Sequence, residues 1–185
     1  MCTDYEGPEP EDKDEIARTT NQKIFGYEPK AKRIRPTDYA PILVPEESHV
    51  RCYDMRWGFY VSWDDKPRYN AKCETVTELR SFKDHTNTRC LIPARSFIEG
   101  GPKFYRPSNA IMFLAGLWRD NGEHGLHYTM LTCAANQTVF PHNERMPFVL
   151  RNEQLLEWLR GDWQSVLTTP DHSPLEKFQK QPDLF

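Results

Sequence analysis

The chain has 185 residues, of which 38% are hydrophobic and 28% charged, and 24 basic against 27 acidic side chains give a formal charge of −3. That length suits one domain, residues 1–185, with a real core, and so even a charge gives no reason by itself to expect nucleic acid. No apolar run is long enough to span a bilayer, and the start lacks a secretory leader's basic-then-apolar profile. An intracellular, cytoplasmic protein is therefore expected.

In chain order, Asp4, Glu6, Glu9, Glu11, Asp12, Asp14 and Glu15 crowd the start, and Gly7, Pro8 and Pro10 break residues 5–15 into what reads as a mobile acidic surface loop. Cations follow at Arg18, Lys23, Lys30, Lys32, Arg33 and Arg35; they can form an anion-binding face or simply a solvated basic stretch. Short strands rich in β-branched and aromatic residues are predicted at 42–44, 50–59, 89–93, 97–99, 110–118 and 126–134. The capping-box pattern Thr75-Val76-Thr77-Glu78 predicts a helix through about Phe82. Asn152 caps a second helix, in which Leu155, Leu156 and Leu159 share a face and Gly161 gives the stop. Asp162 caps a continuation through Leu167, and Ser173-Pro174 starts a last turn. The fold class is α+β, a single domain of curved, mostly antiparallel, barrel-like sheet with peripheral helices.

Chemistry begins at residue 2. Five cysteines, at positions 2, 52, 73, 90 and 133, form neither a zinc-type pair nor an even disulfide set, so they read as reduced thiols. Cys2 stands apart. Removal of the initiator Met would leave its α-amine (ordinary pKa about 7.7–8.0) beside its thiol (about 8.5), a 1,2-aminothiol that condenses with aldehydes to a thiazolidine. Three further windows bear on it. Trp57-Gly58, Trp63 and Asn70-Ala71-Lys72-Cys73-Glu74-Thr75 combine aromatics, a neutral amide and a cation. Pro93-Ala94 through Phe97 to Glu99 ends an apolar strand in a carboxylate whose pKa burial would raise. Thr132, Ala135-Asn136 and then His142 to Arg145-Met146-Pro147 end a strand in a loop bearing an imidazole suited to moving protons near pH 7. His124 and His127 lie in a Gly-containing turn without a matching cysteine pair, so neither metal nor cofactor is expected.

Together the windows resemble the SRAP family, the SOS-response-associated peptidases that shield abasic sites in single-stranded DNA. The family's pattern is Cys2, W-G and W, N-A-R-x-E-T, P-A-x-x-F-x-E, T-x-x-A-N and H-x-R-M-P, and the matches run in order from residue 2 to about residue 150. The resemblance implies a monomeric α+β domain with a basic cleft, working in the cytoplasm at the nucleoid, or in a host cytoplasm if viral. Cys2 would form a thiazolidine with the ring-opened aldehyde of the abasic sugar, and self-processing would first remove Met1. Asn70 would hold the terminus and sugar, Glu99 would act as acid and base, and His142 would handle protons at the sugar oxygen and in release. DNA contact falls to Trp57, Trp63, Lys72 and Arg145, with Arg33 and Arg35 adding charge. Singly, Asn70 also reads as a turn former, Trp57 as core and Arg145 as a brace for the His142 loop.

Three departures matter. Cys2-Thr3-Asp4 replaces the usual C-G-R, and an Asp beside a phosphate costs on the order of several kcal/mol unless it turns away or is paired. Lys72 stands where Arg is usual and gives a point contact in place of a fork. Gly100 follows Glu99 where a tryptophan is common. Two other classes use the same residues: an N-terminal-nucleophile or cysteine-type amidohydrolase, and a non-catalytic single-stranded-DNA-binding module.

Overall fold

The computed structural model describes residue 2, residues 4–29 and residues 33–178. Alternating burial drives its larger sheet: His49–Trp57 reads outward, inward, outward along most of its length, and pairs antiparallel with Tyr39–Glu46 from Tyr39↔Arg56 to Glu46↔His49. From Tyr39–Glu46 the sheet continues through Arg89–Ala94 and Met112–Asp120 to Leu126–Ala134. It then curls into a ring, because Leu126–Ala134 also pairs parallel with His49–Trp57 at His127↔Arg56 and Tyr128↔Trp57. Ile42, Leu43, Leu91, Ile92, Phe113, Leu114, Tyr128 and Met130 fill the core.

A second, antiparallel sheet runs Glu176–Phe178, Lys103–Tyr105, Ser96–Ile98, Tyr5–Glu6, Arg33–Ile34. This sheet positions the chain's start. Tyr5 pairs with Phe97, and the Ile98 amide donates to the Asp4 carbonyl at 3.0 Å, so each step back toward residue 2 is a step forward toward Glu99.

Residues 5–15 therefore correct the expectation of a mobile acidic loop. They form the Tyr5–Glu6 strand, a 3-10 turn at Pro10–Asp12 and the start of the Lys13–Thr20 helix, with Tyr5, Asp12 and Ile16 buried. The acids are spent on distant donors: Asp12 pairs with Arg95 (Nε–Oδ2 2.9 Å), Glu6 with Lys103 (2.6 Å) and Ser96 (2.9 Å), and Glu15 accepts the Ile111 amide (2.8 Å). The helix expected from Thr75 is instead a run of turns reaching a 3-10 turn at Lys83–His85. No last turn forms at Ser173-Pro174, where an extended stretch leads into the Glu176–Phe178 strand. Leu155–Arg160 is helical as expected, but Trp158 rather than Leu156 shares its buried face with Leu155 and Leu159. Asp162 caps Trp163–Leu167 by accepting the Ser165 amide. Among the described residues, no helix is long and apolar enough to cross a membrane.

Candidate functional site

Cys2 is fully buried, and its thiol donates to the Asp4 carbonyl at 3.4 Å. Burial pushes that thiol up to about 12, and the charge of Glu99 adds to the effect, which places the two side chains within electrostatic reach. Glu99 is itself 3% exposed, and burial raises its carboxyl above the ordinary glutamate range. The strand register thus delivers a latent nucleophile to a carboxyl of enhanced basicity.

Asn70 closes the site from the other sheet. Its strand, Asn70–Lys72, pairs parallel with Leu126–Ala134, and its Nδ2 donates to the Cys2 carbonyl at 2.9 Å. Its Oδ1 is buried with no hydrogen-bond partner among the described residues, an acceptor left ready for an amine or hydroxyl. Trp57 sets this strand. Its indole donates to the Tyr69 carbonyl at 2.8 Å, where Thr129 Oγ1 (3.0 Å) and the Met130 amide (3.0 Å) converge. Trp57 is fully buried, edge-on to Tyr5 and stacked on Tyr128. It therefore presents no face to a DNA base, which corrects the DNA-contact expectation: the Trp57-Gly58 signal belongs to the scaffold that aims Asn70.

The loop after Leu126–Ala134 is closed by the Ala135 amide on the Glu144 carbonyl (2.9 Å) and shaped by Asn136, whose Oδ1 accepts the Thr138 and Val139 amides. It carries Asn143 to Glu99: Nδ2 donates to Oε2 at 2.6 Å. Its neighbour His142, nominated from the sequence for protons at the sugar oxygen, faces elsewhere. The His142 ring lies against Phe104 (centroids 5.7 Å), and its Nε2 is 3.3 Å from Lys177 Nζ. Arg145 is also re-assigned. Its guanidinium grips Glu74 bidentately (2.7 and 2.9 Å) and reaches the Thr132 carbonyl (2.7 Å), so its donors brace the loop and are not presented to a phosphate.

Gly100 fits this loop only as glycine. Its φ is +59°, and an added Cβ would lie 2.4 Å from the His142 carbonyl oxygen. Gly100→Ala is expected to cost about 2 kcal/mol or more from backbone strain and overpacking, read as a lower denaturant midpoint. An unchanged midpoint would mean that the His142 loop yields freely.

Around this centre, Trp63 is 48% exposed, with the Arg80 guanidinium 4.2 Å above its ring, and Lys72 is exposed at the end of its strand. Arg80 went unnoticed in the sequence because it lies 17 positions beyond Trp63, outside any local spacing rule. Asp4 is buried and paired: Arg33 Nε donates to its Oδ1 and Oδ2 at 2.9 and 2.8 Å, and Arg35 Nε lies 3.8 Å away. The unfavourable acid beside Cys2 is thus neutralised by the two arginines nominated for DNA, while Lys30 and Lys32 lie outside the described residues.

Comparison with known proteins gives a consistent result. The chain is 31% identical over 171 residues to abasic site processing protein YoqW of Bacillus subtilis, covering 79% of this chain and 76% of the relative. It is 29% identical over 178 residues to YoaM of the same organism (83% and 78%), and 27% identical over 142 residues to YedK of Escherichia coli (70% and 64%), both likewise named abasic site processing proteins. Two crystal structures from Bordetella bronchiseptica share the fold. One has a TM-score of 0.80 at 21% identity, covering 98% of this chain and all of that one; a phage-related protein has 0.76 at 18%, covering 98% and 95%. The family model described as SOS response associated peptidase (SRAP) matches residues 1–181. A match of that extent, laid over a buried Cys2 flanked by Asn70 and Glu99, means that the chain belongs to the SRAP family.

Proposed function

We propose that this protein captures abasic sites in single-stranded DNA as a thiazolidine on Cys2, after hydrolysis of the Met1–Cys2 amide frees the α-amine. The observation that carries the reading is the closure around Cys2: its carbonyl is held by Asn70 at 2.9 Å, and its thiol lies within reach of the charge on buried Glu99. The Bacillus and Escherichia relatives are named abasic site processing proteins, which supports an abasic-site substrate.

The chemistry balances without a cofactor. The α-amine adds to the aldehyde carbon of the opened sugar, the carbinolamine loses one water to give an imine, and the sulfur adds to that carbon while its proton passes to nitrogen. Glu99 gives and takes the protons at the sugar and carbinolamine oxygens, and the open Oδ1 of Asn70 accepts from the amine. Trp63 offers a stacking surface, with Arg80 on one face, and Lys72 meets a phosphate; one chain suffices for every step.

Intact-mass analysis tests this directly. Exposure to an abasic oligonucleotide should yield the mass of protein lacking Met1 plus oligonucleotide minus one water. Turnover of amides with no DNA adduct would favour the amidohydrolase reading, and equal binding of intact and abasic strands with no adduct would favour the binding module.

Arg33 and Arg35 enter through Asp4. Asp4→Asn should release them and tighten binding of undamaged single strands at low salt, steepening the log–log salt slope by about 0.7 for each phosphate gained. Anisotropy titrations across a salt series read this, and an unchanged slope would remove both arginines from the DNA path.

A further inference from the structure

We infer that Asn143 is the positioning residue for Glu99 in this protein, at the place that the SRAP pattern gives to a histidine. The inference rests on the proposed acid–base role of Glu99, and three observations carry it.

The first is a count. The family pattern H-x-R-M-P sets histidine two residues before the arginine; here Arg145-Met146-Pro147 is preceded at that distance by Asn143, and His142 sits one further back. The second is how the loop packs. The His142 carbonyl lies over Gly100, where a Cβ would be 2.4 Å away, so the loop that carries Asn143 packs directly on the residue after Glu99.

The third is the fixed direction of the Asn143 amide. Its Oδ1 accepts the Arg145 backbone amide at 3.1 Å, and Arg145 is anchored on Glu74 and Thr132. Nδ2 is therefore the end that faces Glu99, as a donor at 2.6 Å. A carboxamide can aim a carboxylate but cannot take a proton at neutral pH, so Glu99 is left as the one proton-exchanging side chain of this pair. The Cys2 thiol lies within electrostatic reach of Glu99. Burial raises the Glu99 carboxyl, while the chain's amino terminus and then the Asn143 bond pull it down.

The test compares wild type with Asn143→Ala, Asn143→His and His142→Ala, measuring adduct formation with an abasic single strand from pH 4.5 to 8.5. It adds a direct NMR titration of the Glu99 carboxyl, which needs no DNA. Asn143→Ala should slow capture about tenfold or more, as when the partner orienting a functional group is removed, and move the Glu99 titration to higher pH. Asn143→His should add a limb to the rate profile at about pH 6–7. His142→Ala should leave the Glu99 titration in place, since the bond to Glu99 comes from Asn143. The inference is overturned if Asn143→Ala leaves the Glu99 titration in place, or if His142→Ala is the variant that shifts it. Absence of any adduct from wild type would instead count against the capture reading, and the NMR titration would still decide the role of Asn143.

Discussion

Cys2→Ser is expected to abolish the heat-stable adduct with abasic single strands while leaving their non-covalent binding intact. The substitution is close to isosteric, and the serine hydroxyl can donate to the Asp4 carbonyl as the thiol does, so the Tyr5–Glu6 strand keeps its register. What changes is the ring: an oxazolidine, with its harder oxygen, reopens where a thiazolidine persists. The buried thiol is also strongly latent. Burial pushes its pKa up to about 12, so the thiol is held protonated at neutral pH until a base is in place. Heat-treated denaturing gels read the result, and full crosslinking by the serine variant would refute the role of Cys2.

Much of the fold was legible, for physical reasons that differ by segment. Leu126–Ala134 runs over its predicted bounds because nine mostly apolar or β-branched residues sit between a glycine turn and a polar loop. Residues 5–15 were misread because Glu6, Asp12 and Glu15 look solvent-bound in sequence, while their partners Lys103, Arg95 and Ile111 lie 83 to 97 positions away. The helix expected at Thr75 failed for a related reason. Val76 and Phe82 are buried, and burying both fixed a succession of turns in preference to a continuous helix.

The site shows the same division. Cys2, Asn70 and Glu99 were nominated on chemistry and spacing, and the structure places Asn70 Nδ2 on the Cys2 carbonyl and Glu99 within electrostatic reach of the Cys2 thiol. Trp57 carried a real signal with the wrong destination: buried aromatics and base-stacking aromatics look alike in sequence. Asn143 was within reach of a strict count back from Arg145, but a histidine one position off supplied the expected residue type and drew the assignment. Asp4 could be recognised as unfavourable near DNA. That Arg33 neutralises it depends on the Tyr5–Glu6 and Arg33–Ile34 pairing, which local pattern does not specify.

Glu99→Gln is expected to slow adduct formation by one to two orders of magnitude and, at neutral pH, to stabilise the fold. The rate loss follows from removing the group that exchanges protons, at the lower end of the usual effect of a general acid–base. Wild type should show a pH limb above the ordinary glutamate value of about 4.3, because burial raises the Glu99 carboxyl, and that limb should vanish in the glutamine variant. The stability effect has the same origin. A carboxyl whose folded pKa is raised contributes its full stability below the unfolded value, where it is neutral in both states, and loses it as pH climbs through the folded value and the native state must hold a buried charge. Glutamine keeps an acceptor for Asn143 Nδ2 without that charge, so its melting temperature should exceed wild type's at pH 7, each kcal/mol recovered being worth roughly 2–4 °C in a chain of this size. The gap should close as pH falls below about 4.3, where wild type is neutral as well. Paired melting curves across this range and single-turnover rates on the same preparations read both halves. A variant that is slow but no more stable at pH 7 would show that Glu99 is held ionised at no cost, and one that captures DNA at the wild-type rate would remove Glu99 from the chemistry.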